Sequence, residues 1–417
     1  MDAPLTPEQR VFVHVGAPKT GTTFLQSTLF HYRHRLEELG ILYPAVHYDD
    51  HFFAAVDLQD LDFSGERRPE AAGRWEQVAA RVREWPGTSV ISHDVLAGAT
   101  PEQAQQAIES LAPATVHVVC TARNLALQLP SHWQEDVKHG QTADFDEWYE
   151  RIARRDDSEW QLRWFWRVED IPDILRRWGG TLPPARVHVV TVPRPGAPAP
   201  LLWERFTSVI GLAPDAVDIS VVYHPNSGLG RAEVELLRRV NVAHAYALPP
   251  RQYERDVKGL LGHEILAASM RSPRLMLPER LLSDIGTVAR RWSRVLEQAG
   301  YDIVGDLAEL VPRESDVAPF TDPPDVSPDA VADAAVTAVF VLVTRLAECR
   351  DQQETHHRLV AERDRLDHEL RTAQEVIREH ASLPTWERIK RTVVEIGRTS
   401  PTVGRALRVY RRLRRHR

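Results

Sequence analysis

Only two cysteines, Cys120 and Cys349, occur in 417 residues. That excludes a disulfide framework and any metal site built on cysteine clusters, and it suits a reducing compartment. Lysine is scarce too: Lys19, Lys138, Lys258 and Lys390 are the only lysines among 52 basic residues. The arginine bias is what codon composition alone would give, and it makes each lysine conspicuous. No apolar run approaches the roughly 20 residues of a membrane-spanning helix; the longest lies near 334–343. The first residues, Met-Asp-Ala-Pro-Leu-Thr-Pro-Glu, carry neither the positive n-region nor the apolar h-region of a signal peptide. The expectation from these absences is a cytoplasmic protein without a transmembrane segment.

What is present is an ordinary globular composition, 43% hydrophobic and 27% charged, which rules out wholesale disorder. The length suits one large α/β unit with an appendage. Short apolar runs at 11–15, 89–92, 115–121 and 186–192 read as buried strands. Helical stretches are expected between them, near 73–85, 101–111 and 145–178. Strand and helix alternate, so the expected core is a three-layer α/β unit, a parallel sheet flanked by helices, with ligands at the carboxyl ends of the strands.

Residues 311–328 are rich in proline and aspartate and read as a linker. The expected organisation is a catalytic unit over 1–310, that linker, a helical coiled-coil segment over 329–383 and a basic helical tail over 384–417. In the segment, Leu359, Leu366 and Ala373 share one heptad position and Leu370 and Ile377 the other, although Arg363 falls at a core position. This pattern is compatible with a homodimer. The tail holds 11 Lys/Arg against 2 Asp/Glu in a chain of net charge −7, a distribution that fits peripheral contact with an anionic membrane or an acidic protein as well as a solvated helical end.

The chemistry lies between the first strand and the first helix. There, His14-Val15-Gly16-Ala17-Pro18-Lys19-Thr20-Gly21-Thr22-Thr23 precedes an amphipathic pattern of Leu25, Leu29, Tyr32, Leu36 and Leu39. Strand, glycine-containing loop and helix N-terminus together point backbone amides at one anion. Gly16 and Gly21 have the spacing of a nucleoside-triphosphate loop, but Thr22 stands where that loop needs lysine, and Lys19 lies ahead of the second glycine instead. A second signature is Arg123, ending the strand 115–121, with Ser131 eight residues later. Ser131-His132-Trp133-Gln134 also reads as a capping box opening a helix. At the end of the run 89–92 stand His93 and Asp94, either of which could serve as a general base.

These motifs resemble the sulfotransferase family, in a bacterial branch, over roughly residues 10–310. The resemblance implies a phosphate-loop-like fold and 3′-phosphoadenosine 5′-phosphosulfate as co-substrate, with no metal. It further implies that Lys19, Thr20, Gly21, Thr22 and Thr23 hold the 5′-phosphosulfate, and that Arg123 and Ser131 hold the 3′-phosphate. Lys19 and either Asp94 or His93 would carry catalysis. The acceptor would be a hydroxyl of a carbohydrate, glycoconjugate or other small molecule, and no nucleic-acid partner is expected. The alternatives are a kinase-like nucleotide phosphotransferase and a non-catalytic nucleotide-fold scaffold. Two further features are weaker. Pro225 to Arg231 is a plain turn or a donor-contacting loop through Asn226, Ser227 or Arg231. Trp160, Trp164, Phe165 and Trp166 fit core packing better than a pocket.

Overall fold

The computed structural model describes residues 9–62, 68–222, 228–244, 248–317, 326–382 and 385–414. It divides into two compact units, 1–339 and 340–417. The first contains a six-stranded sheet in the order β2-β3-β1-β4-β5-β6, every pairing parallel. Its strands are β1 Arg10–His14, β2 Ile41–Leu42, β3 Thr88–Ser92, β4 Thr115–Ala122, β5 Val187–Thr191 and β6 Asp302–Val304. The central strands are buried on both faces, as the continuous apolar runs of their sequences require.

The strand order positions the site. β1 lies between β3 and β4, in register at His14 with Ser92 on one side and Val119 on the other. Successive connections leave β1 first toward β3 and then toward β4, which opens a crevice at the carboxyl end of β1. The loop 15–21, His93-Asp94 and Arg123 all emerge at that edge. Beneath it, Leu25, Leu29, Val90, Val119, Leu202, Trp203 and Phe206 form one buried apolar cluster that ties the first helix to the sheet.

Several local expectations are corrected. The pattern over 22–39 makes two helices, Thr22–His31 and Arg33–Glu38, broken at Tyr32. The stretch 145–178 makes three, Phe145–Ala153, Trp160–Glu169 and Ile171–Gly179. Ser131 does not open a helix: it sits inside Leu125–Lys138, whose cap is Asn124, accepting from the Ala126 amide at 2.9 Å. Phe165 is buried, but Trp160 is 44% exposed, so the aromatic cluster is only partly core.

The helix Pro328–Ser382 starts within the first unit and runs into the second. Of the expected linker, 318–325 lie outside the described residues. Apolar run length understates this helix. By length and composition this helix could cross a membrane, because it contains an 18-residue window of mean hydropathy 1.8, 17% of it buried. Val336, Val339, Phe340 and Val343 are exposed along it, so single polar residues interrupt the run without lowering its average much. The heptad leucines Leu359, Leu366 and Leu370 are exposed as well. The tail forms two helices, Thr385–Thr399 and Pro401–Arg414. They cross at Gly397 and Gly404, where an added Cβ on Gly404 would lie 2.6 Å from the Gly397 carbonyl oxygen.

Candidate functional site

The loop after β1 is held in a shape that few residues adopt. Gly16 and Gly21 have φ of 78° and 86°, and Lys19, with a side chain, has φ of 61°. A left-handed non-glycine residue costs roughly 1–2 kcal/mol, so the surrounding contacts must fix it. They do so from both sides. The Thr20 hydroxyl donates to the Ala17 carbonyl and pairs with the Thr121 hydroxyl, each at 2.5 Å. Arg123 donates to the Lys19 carbonyl at 3.0 Å, and the Gln128 amide donates to the Pro18 carbonyl at 2.8 Å. Gly21 opens the helix Thr22–His31 without a side-chain cap, and its first turn holds no acidic residue. The leading amides of that helix therefore face outward for an anion.

Asp94 packs directly on this loop. An added Cβ on Gly16 would lie 2.7 Å from the Asp94 Cβ and 2.8 Å from its Cα. Gly16→Ala should therefore lower stability by roughly 2–4 kcal/mol, from backbone strain plus overpacking. An unchanged urea midpoint would show that the Gly16–Asp94 contact is not real.

His93 has a different place. Its Nδ1 accepts the Val95 amide at 3.1 Å and caps the short turn Asp94–Gly98, while its ring lies 5.4 Å from Phe52. Burial lowers its pKa, against the pull of Asp94 and Asp49. His14 lies between Ser92, at 2.8 Å, and Thr121, at 3.2 Å, and burial drives its pKa down to about 4. It is a satisfied sheet histidine.

Lys19 reaches across to the helix Leu125–Lys138 and meets Glu135 at 2.9 Å. Burial opposes its charge, but Glu135, with Asp94 and Glu169 behind it, raises the lysine pKa. Ser131 lies one turn before Glu135 on the same helical face, and its hydroxyl donates to the Leu127 carbonyl at 3.0 Å. Lys19, Arg123, Asp94 and Ser131 thus gather around one edge of the sheet. The Thr20 side chain is engaged inside the loop, which leaves its amide as the group it can offer.

Four features escaped the sequence reading. Glu135 is contacted by Lys258 at 3.1 Å and Lys138 at 3.4 Å as well as by Lys19, and its pKa lies well below the usual carboxylate range. Burial works against that shift; the lysines and His139 overcome it. Second, Glu169 is fully buried beneath the loop, bonded to Gln128 and, at 2.6 Å, to His132. Burial raises its pKa. Third, Asp136 is buried with Trp148 donating to it at 2.9 Å, and burial pushes its pKa up to about 6. Fourth, burial lowers the pKa of Arg123, and the charge of Arg274 lowers it further. Of the expected late loop, Asn226 and Ser227 lie outside the described residues, and Arg231 Nε is buried with no hydrogen-bond partner among the described residues. Among the described residues, no group of three His, Cys, Asp or Glu is placed to hold a metal ion.

Fold and site together define an α/β protein with a parallel sheet and, after its first strand, a glycine-containing loop whose lysine precedes the second glycine. Two solved structures are similar to it. One is a sulfotransferase from Alicyclobacillus acidocaldarius, at 20% identity and a TM-score of 0.36, covering 59% of this chain and 94% of its own. The other is the sulfotransferase domain from the curacin biosynthetic pathway, at 12% identity and a TM-score of 0.30, covering 71% of this chain and 99% of its own. No family model matches the chain, and no curated protein matches it. At these TM-scores neither likeness bears on what the chain does.

Proposed function

We propose that the chain is a sulfotransferase that moves a sulfuryl group from 3′-phosphoadenosine 5′-phosphosulfate to a hydroxyl acceptor, with carbohydrate and glycoconjugate hydroxyls as the favoured class. One observation carries the reading. Lys19 sits inside the anion loop, ahead of Gly21, in a left-handed conformation held by Arg123 at its own carbonyl. A phosphoryl-transfer loop needs its lysine one residue after the second glycine, and Thr22 occupies that position.

In the proposed mechanism the amides of Gly21, Thr22 and Thr23 hold the 5′-phosphate, and Arg123 with Ser131 holds the 3′-phosphate. The acceptor oxygen attacks sulfur in line, the bond from sulfur to the bridging oxygen breaks, and adenosine 3′,5′-bisphosphate leaves. Lys19 meets the negative charge that develops on that bridging oxygen. Asp94, packed against the loop, takes the acceptor proton. His93 holds the turn, because the nitrogen facing the chain already accepts the Val95 amide.

Titration calorimetry tests the donor class. Adenosine 3′,5′-bisphosphate should bind about tenfold or more tightly than ATP, the effect expected of a charge-assisted 3′-phosphate contact, and magnesium should not alter the order. ATP binding that requires magnesium and exceeds that of the bisphosphate would favour a kinase-like enzyme instead.

A further inference from the structure

Lysine is used four times in this chain, and three of those four side chains converge on one carboxylate. Lys19, Lys258 and Lys138 lie 2.9, 3.1 and 3.4 Å from Glu135. They come from three separate elements: the loop, the helix Leu125–Lys138 and the stretch Tyr253–Leu266. Elsewhere arginine serves as the cation, with its planar fork and weak hydration; lysine supplies a compact point charge. Three such charges at one spot need more negative charge than Glu135 alone provides.

Asp94 and Glu169 add to it at Lys19, but among the described residues the acids nearest Glu135 are turned to other partners. Lys258 Nζ lies 2.6 Å from His139 Nε2, and an imidazole brings no negative charge. Asp136 is turned to Trp148 and Glu169 to His132 and Gln128. Burial lowers the pKa of Lys138, and burial followed by the charge of Lys138 takes His263 down to about 4. Lys258 and His263 sit on a helix wound with the wide π geometry, which is rare and occurs frequently at functional sites. That helix lies against the first: an added Cβ on Gly262 would be 3.8 Å from Lys138 Cγ.

We propose that Lys138 and Lys258 form an anion subsite beside Lys19 that receives a carboxylate, phosphate or sulfate ester carried by the acceptor. This rests on the sulfuryl-transfer reading, since it is the donor that occupies the loop and Lys19. Lys19 leaves Glu135 for the bridging oxygen, and the other two lysines remain to hold the acceptor's charge. The acceptor class is thereby narrowed from hydroxyl compounds in general to anionic ones.

The test uses the full chain saturated with adenosine 3′,5′-bisphosphate and titrated with inorganic sulfate. Wild type should bind sulfate, and Lys138→Gln and Lys258→Gln should each weaken that binding about tenfold or more, while bisphosphate affinity changes less than about threefold. Two variants on separate helices guard against one failing to fold, and thermal melting verifies both. In transfer assays, a uronate-bearing sugar should be sulfated in preference to its neutral parent, and the preference should vanish in both variants. Absence of sulfate binding to the loaded protein, or binding unchanged in the variants, would overturn the subsite. Losses of bisphosphate affinity as large as those for sulfate would also overturn it, by placing both lysines in the donor site. If wild type does not bind the bisphosphate, the sulfuryl-transfer reading fails. In that event, sulfate titration of the unloaded variants decides the anion subsite on its own: weakened binding supports it and unchanged binding removes it.

Discussion

Replacing Lys19 with alanine should lower sulfuryl transfer by about 100- to 1,000-fold, the range for removing one preorganised donor aimed at developing charge. The loss should fall on kcat, because in the proposed mechanism the lysine acts where charge appears in the transition state, and the amides of Gly21, Thr22 and Thr23 would carry ground-state binding of the 5′-phosphate. The fold should survive the change. Glu135 keeps Lys138 and Lys258 as partners, so no buried carboxylate is left uncompensated. Single-turnover transfer of labelled sulfur, to an acceptor found by screening or to water, measures the effect. Undiminished transfer would remove Lys19 from the mechanism.

Asp94→Asn should be of similar size, a fall of about 100- to 10,000-fold in turnover, with donor affinity nearly unchanged. Asparagine keeps the shape that packs on Gly16 and loses only the ability to accept a proton. His93→Gln should do the opposite. It removes the ring nitrogen that caps Asp94–Gly98, which costs roughly 0.5–2 kcal/mol of stability, and leaves turnover near wild type. A large loss of turnover in the histidine variant beside an active asparagine variant would exchange the two roles. The sequence alone put Asp94 only slightly ahead of His93; the proposed division of roles adds that the His93 side chain accepts the Val95 amide while Asp94 packs on the loop.

The sheet was legible because its central strands are short, mostly apolar runs, and the loop because two glycines and a lysine stand between a strand and a helix. The edge strands β2 and β6 were not, since two and three residues carry no readable period. Ser131 misled because a serine three residues before glutamine looks the same at a helix start as in a helix interior. The structure separates the two cases: Pro130 is tolerated inside that helix, and Asn124 holds the true start. The lysine cluster could not be read at all. Residues 19, 138 and 258 share no local pattern, and only tertiary packing of the loop on two helices brings them to one carboxylate. The scarcity of lysine was the one signal available, and it marked these positions without saying that they meet. The membrane-length window in Pro328–Ser382 was missed for a simpler reason, that average hydropathy tolerates an isolated aspartate or arginine where a search for unbroken runs does not.

The central claim is that this sheet edge holds a nucleotide by two separate phosphates, one on the Lys19 loop and one on Arg123. The most direct measurement is the ratio of affinities for adenosine 3′,5′-bisphosphate and adenosine 5′-phosphate, in wild type and in Arg123→Ala. Wild type should prefer the bisphosphate by about tenfold or more, and the variant should lose that preference while keeping its affinity for the monophosphate. Equal losses for both nucleotides, or no preference in wild type, would contradict the account.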